Sequence, residues 1–198
     1  MPATQQERSR NTREALLSAG RRLFGERGYP HVAADEIVAA AGVTRGALYH
    51  HYDGKHGLFR AVLERLEGEI TADVRGAVDA APDVVAGALA GVGAFLDTCQ
   101  RPEVLRIALT DAPAVLGWST WRAIEAEHGL GLITELLERA SAGGAITVER
   151  VDVFAQLLLS ALIEAALLIA NATDVERTRQ DVESSLGTLL SGLLVDNG

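Results

Sequence analysis

Apolar side chains recur at three- and four-residue steps along nearly the whole chain, and no stretch sustains the two-residue alternation of a half-buried strand. That pattern admits an all-α fold of about nine helices, with glycines and prolines marking the breaks. "RGYP" closes a first helix that runs from about Asn11 to Arg27, Gly42 stops a short second one (about Asp35 to Ala41), and a third spans about Arg45 to His51. A fourth starts near Lys55 and reaches about Val78; a fifth has Pro82 in its first turn and ends near Gln100; a sixth, short one stops at "DAP" (111–113). The seventh covers about Gly117 to Ala142 and the eighth about Val148 to Asn171. "TDVE" (173–176) has capping-box spacing, with Thr173 and Glu176 serving each other's backbone donors, and opens a ninth helix to about Leu194.

At 198 residues the chain holds one domain or two small, tightly packed ones. Its charge is uneven. Residues 1–60 carry nine Lys/Arg against six Asp/Glu, a net +3, whereas residues 61–198 carry nine against twenty-one, a net −12. An acidic body with a weakly basic head argues against indiscriminate coating of nucleic acid or anionic membrane. The single Cys99 leaves no intramolecular disulfide and fits a reducing cytoplasm, and the N-terminus lacks the apolar core of a secretory signal. "VFAQLLLSALIEAALLIANA" (153–172) has the length of a membrane span, but Glu164 sits mid-run. A helix buried between protein surfaces is the better reading, so no membrane partner is expected.

Two short helices separated by "AGVT" (41–44) form a helix-turn-helix pattern, with Gly42 supplying the left-handed turn. Thr44 is a good N-cap for the third helix, and Val43 and Leu48 flank the cap as a hydrophobic staple. At about 100° per residue, Arg45, Gly46, Tyr49 and His50 share one arc, while Ala47, Leu48 and His51 lie on the other. The first arc offers a guanidinium for a guanine edge or a phosphate, a phenol, an imidazole, and a glycine that removes bulk at a groove. Adjacent His50 and His51 project about 100° apart, a poor geometry for one metal. No phosphate-binding glycine loop or nucleophile elbow is present, so no metal, cofactor or catalytic set is expected.

"LFGERGY" (23–29), "DEIVAAAGVTRGALYHHY" (35–52) and "GKHGLF" (54–59) together resemble the DNA-binding domain of the tetracycline-repressor (TetR) family of bacterial transcription regulators. The likeness is close over about the first seventy residues and looser beyond. It implies phosphate or base contact at Thr44, Arg45, Tyr49 and His50 and a phosphate clamp at Lys55, the only lysine beside seventeen arginines. Where the family often has Ser or Thr at the start of the second helix, this chain has Ala33 and Ala34, which leaves Asp35 to cap it. Gly54 stands where Ser or Asn often precedes the lysine, so the fourth helix is capped by Gly54 or Asp53.

One head contacts only a few base pairs, so useful specificity requires a dimer. Helix eight is apolar nearly all round, and helix nine adds Val182, Leu186, Leu189 and Leu193 at helical steps. The resemblance likewise implies a four-helix dimer interface; candidates are Phe154, Leu158, Glu164 and Ala165 with those four. It also implies an effector pocket among helices four to seven. Trp118, Trp121, Glu125 and His128 follow a 3-4-3 spacing and suit an amphipathic ligand, though an ordinary core explains the tryptophans as well; Phe95 and Cys99 are further candidates. The expected organisation is a flexible tail (1–9), a DNA-binding domain (10–70, helix-turn-helix about 33–52) and an effector-binding and dimerisation domain (71–198). The expected function is that of a cytoplasmic, homodimeric repressor that binds a palindromic operator and is released by a small molecule. The alternatives are an effector-independent architectural DNA-binding factor and, more remotely, a small-molecule-binding enzyme with a vestigial head.

Overall fold

The computed structural model describes residues 4–194. Among the described residues there is no strand, and one antiparallel bridge joins Ile146 to Leu194. Helices α1 (Gln5–Arg27), α2 (Ala34–Ala41), α3 (Arg45–Tyr52), α4 (Gly54–Asp79) and α5 (Val84–Cys99) come first, with a 3₁₀ turn at Tyr29–His31. Helix α6 covers residues 102–116 and α7 residues 118–142, followed by α8 (Val151–Ala170) and α9 (Val175–Ser191).

Several ends differ from expectation. Residues 5–9 are not a tail: Thr4 caps α1 through a reciprocal box with Glu7, whose carboxylate accepts the Thr4 N–H at 2.6 Å. Helix α5 is capped by Asp83, which accepts from Ala86 N–H at 2.8 Å, rather than opened by Pro82, and α9 by Asp174 rather than Thr173. Helix α6 passes through 111–113, because a π-helical segment (Leu105–Asp111) absorbs the register change ahead of Pro113. A second π segment, Ala126–Leu130, interrupts α7.

The chain divides into two compact units, one of residues 1–66 with 102–121 and the other of 67–101 with 122–198. The first unit thus stops short of the expected boundary at residue 70 and takes in 102–121, a segment the sequence reading assigned to the second domain. Its core joins Leu16 and Phe24 of α1, Ile37 of α2, Leu48 of α3 and Leu58 and Phe59 of α4, all fully buried. Phe24 and Tyr29 both meet the Phe59 ring edge-on, at 5.2 and 5.0 Å. Segment 102–121 is tied in by the Arg21–Glu103 fork (2.7 and 3.1 Å) and by Tyr29 N–H donating to Asp111 at 2.7 Å.

The second unit packs α5, the rest of α7, α8 and α9 around Leu96, Leu137, Ala155, Leu159, Ala166, Ile169 and Leu186. By length and composition α8 could cross a membrane, with a mean hydropathy of 2.2. Its Ala155, Leu159, Leu162, Ile163, Ala166 and Ile169 are instead buried in this unit, leaving Val153, Leu157, Glu164 and Leu168 along an outward stripe.

Candidate nucleic-acid interface

The turn between α2 and α3 is built by local chemistry. Gly42 adopts φ 66, ψ 31, a left-handed conformation that L side chains rarely take, and Val43 N–H closes the motif on the Val38 carbonyl at 3.0 Å. Thr44 then takes extended backbone and its hydroxyl accepts from Ala47 N–H at 3.3 Å, fixing the start of α3. Leu48 and Tyr52 are buried beneath the helix, and the Tyr52 hydroxyl donates to the Arg13 carbonyl at 2.9 Å. Thr44, Arg45, Gly46, Tyr49 and His50 consequently stand exposed along one arc, while His51 is half-buried.

At the start of α2 the acid that works on the backbone is Glu36, not Asp35. Its carboxylate accepts Ala33 N–H at 2.7 Å and is gripped by Arg27 at 2.6 Å, which holds its pKa below the usual carboxylate range. Asp35 instead receives Arg45 Nη1 on both oxygens, at 3.0 and 3.3 Å, and the Arg45 guanidinium lies 6.0 Å from the Tyr49 ring centre. Sequence reasoning missed this division of labour, because two adjacent acids in a first turn look equivalent.

Lys55, expected as a phosphate clamp, makes its contacts here within the first unit. Its ammonium donates to the Tyr29 carbonyl at 2.7 Å and sits 3.8 Å over the Tyr29 ring, and partial burial lowers its pKa. The lysine faces the 3₁₀ turn. Asp53 (φ 57) closes α3 by donating its own N–H to the Tyr49 carbonyl at 3.1 Å.

The candidates in the body are split between the units. Trp118 is 68% exposed and Trp121 buried, with ring centres 5.0 Å apart, and the Trp121 indole N–H has no hydrogen-bond partner among the described residues. Both tryptophans belong to the first unit, and Glu125 and His128 to the second. In the second unit Glu125 is buried and pairs with Arg122 at 2.9 Å, whose other nitrogen reaches Ser160 at 3.1 Å. Burial pushes Glu125 up to about 7 against the pull of that guanidinium.

Glu67, which the sequence did not single out, is buried nearby, and burial together with the Glu125 charge pushes it up to about 8. Burial and the same two carboxyls raise the thiol of Cys99, which is fully enclosed. Phe95 is half-buried. Of the dimer candidates, Ala165, Val182 and Leu186 are buried within their own unit; Phe154, Leu158 and Leu193 are half-buried, and Glu164 and Leu189 point outward. Among the described residues no group of three or more His, Cys, Asp and Glu could hold a metal ion.

Comparison with known proteins bears on both units. Residues 16–62 match the domain family described as "Bacterial regulatory proteins, tetR family", and residues 85–193 match "Tetracyclin repressor-like, C-terminal domain". The chain is 26% identical over 189 residues to the transposon Tn10 TetC protein of Escherichia coli, covering 94% of this chain and 95% of that protein. A shorter likeness, 42% over 67 residues, links 34% of this chain to 31% of the transcriptional regulator AcrR of Shigella flexneri. Among solved structures, a TetR-family transcriptional regulator from Pectobacterium atrosepticum superposes with a TM-score of 0.83 at 34% identity, over 98% of this chain and 99% of that one.

Proposed function

The chain belongs to the TetR family of transcriptional regulators, and we propose that it is a cytoplasmic homodimer that represses by gripping a palindromic operator with α3 of each subunit. A small molecule bound in the second unit releases it. The observation that carries the DNA-binding face is the capped, exposed arc of Thr44, Arg45, Gly46, Tyr49 and His50. Its donors suit one edge of a major groove, with Arg45 on base and Thr44, Tyr49 and His50 on base or phosphate. Lys55 supports that face from behind.

Two features favour the rest of the reading. The outward stripe of α8, with Leu157 62% and Leu168 52% exposed on either side of Glu164, is largely apolar where a stable monomer would be polar. It matches a partner helix better than the inward residues Ala165, Val182 and Leu186 do. Glu67 and Glu125 are buried acids, which an architectural factor with a passive body has no reason to retain; perturbed carboxyls of this kind mark functional sites. Effector and operator affinities are then reciprocally coupled, by about 1 to 3 kcal/mol.

The test is a gel-shift titration with a duplex selected by the protein from a randomised pool. Arg45→Ala lowers affinity by roughly 5- to 150-fold and leaves the dimer intact in size-exclusion chromatography. An unchanged affinity removes α3's exposed arc from the interface.

A further inference from the structure

Asp35 helps the fold only modestly, through its charge in the first turn of α2, and toward an approaching phosphate its position is electrostatically adverse. It caps nothing, since Glu36 serves the Ala33 N–H. Its side chain is 70% exposed and its ion-pair partner Arg45 is 58% exposed, so their ion pair contributes little to stability. On a face that meets phosphates, a carboxylate repels the ligand. Its geometric effect is on Arg45 alone: both oxygens fall on Nη1, at 3.0 and 3.3 Å.

That contact settles what the arginine can do. A long, free arginine gives up its rotamer freedom on binding and takes whichever phosphate is nearest. Here Nη1 is tethered from α2 and the guanidinium is steadied beside the Tyr49 ring. The edge formed by Nε and Nη2 carries two parallel N–H groups, the pattern that matches O6 and N7 of guanine once the Tyr49 side chain, which also hydrogen-bonds the guanidinium, gives way to the base.

We propose that Asp35 is a positioning residue for sequence readout, aiming Arg45 at a guanine in each half-site. The proposal rests on the operator-binding reading above. It carries a signature of opposite signs. Removing the Asp35 charge eases the approach of any duplex, while freeing Arg45 lets it slide to phosphate and lose the base. A residue that merely supports α2 would weaken binding to every duplex alike.

The experiment takes the full chain and its D35N and D35E variants. The wild type first selects a duplex from a randomised double-stranded DNA pool. Each protein is then titrated at one salt concentration against that duplex, against the same duplex with the guanine replaced, and against random duplex. For D35N we expect a melting temperature within a few degrees of the wild type, discrimination at the guanine reduced about fivefold or more, and affinity for random duplex raised roughly two- to fivefold. D35E, which keeps the charge and can still reach Arg45, restores part of the discrimination. Discrimination retained in D35N, or equal weakening on all three duplexes, overturns the positioning role. A wild type that enriches no palindromic site overturns the operator reading instead.

Discussion

Lys55 shows how one oddity of sequence can point to two different partners. A cation in the first turn of a helix opposes the helix dipole, so propensity alone does not place it there. An external phosphate is one way to offset that opposition, and the carbonyl and ring face of Tyr29, at 2.7 and 3.8 Å, are another. A compact ammonium can satisfy both at once, where a planar fork would have to choose. The sequence marks Lys55 as unusual but cannot tell an inward acceptor from an outward one, because Tyr29 lies twenty-six positions away. Lys55→Ala should therefore lower the melting temperature by roughly 2–5 °C, for a loss of about 1 kcal/mol. The salt dependence of operator binding should keep its slope; a slope shallower by about one unit would return Lys55 to the phosphate.

At the level of elements, what was legible is what is chemically local. Gly42 and Thr44 define the turn into α3 through their own backbone angles and hydroxyl, and the exposed arc of α3 follows from helical phase alone. What was hidden depends on distant chain: Arg27 and Arg45 decide which of Asp35 and Glu36 serves the backbone, and a π segment lets α6 run through the "DAP" that reads as a stop. Gly57 belongs to the hidden class. It lies inside α4, where a Cβ would fall 1.7 Å from the Tyr52 carbonyl oxygen. This close approach sets the angle between α3 and α4, and backbone cannot yield as a flexible side chain can. Gly57→Ala should destabilise the first unit by about 3 kcal/mol, at the upper end of overpacking effects, measurable by urea titration. Binding to the selected duplex should fall with it. A variant that melts and binds like the wild type would mean that the α3–α4 junction is soft.

For the molecule as a whole, the two tests concern association and protons. The near-continuous apolar run of α8 concealed its faces, which is why sequence reading put both Ala165 and Glu164 at the interface when the outward residues are Val153, Leu157, Glu164 and Leu168. A single Leu157→Asp change should convert the dimer to monomer in light scattering without unfolding it, since Leu157 is not core; a dimer that persists removes this stripe from the interface. The buried acids set a pH dependence of definite sign. Glu67 and Glu125 ordinarily titrate at 4.5, and in the fold they reach about 8 and about 7. Between those limits the folded protein holds protons that the unfolded chain has released. The contribution of this pair to stability is thus full below about pH 4.5 and is lost as pH rises through 7 and 8. The loss is on the order of a few kcal/mol, enough to lower the melting temperature appreciably between pH 6 and 9. Glu67→Gln keeps the shape and removes the larger titration, so it should be the more stable protein at pH 9 and should flatten the decline. Parallel melting curves for the two proteins across that range would show that water already reaches the Glu67 carboxyl, and the case for a functional buried acid would fail with it.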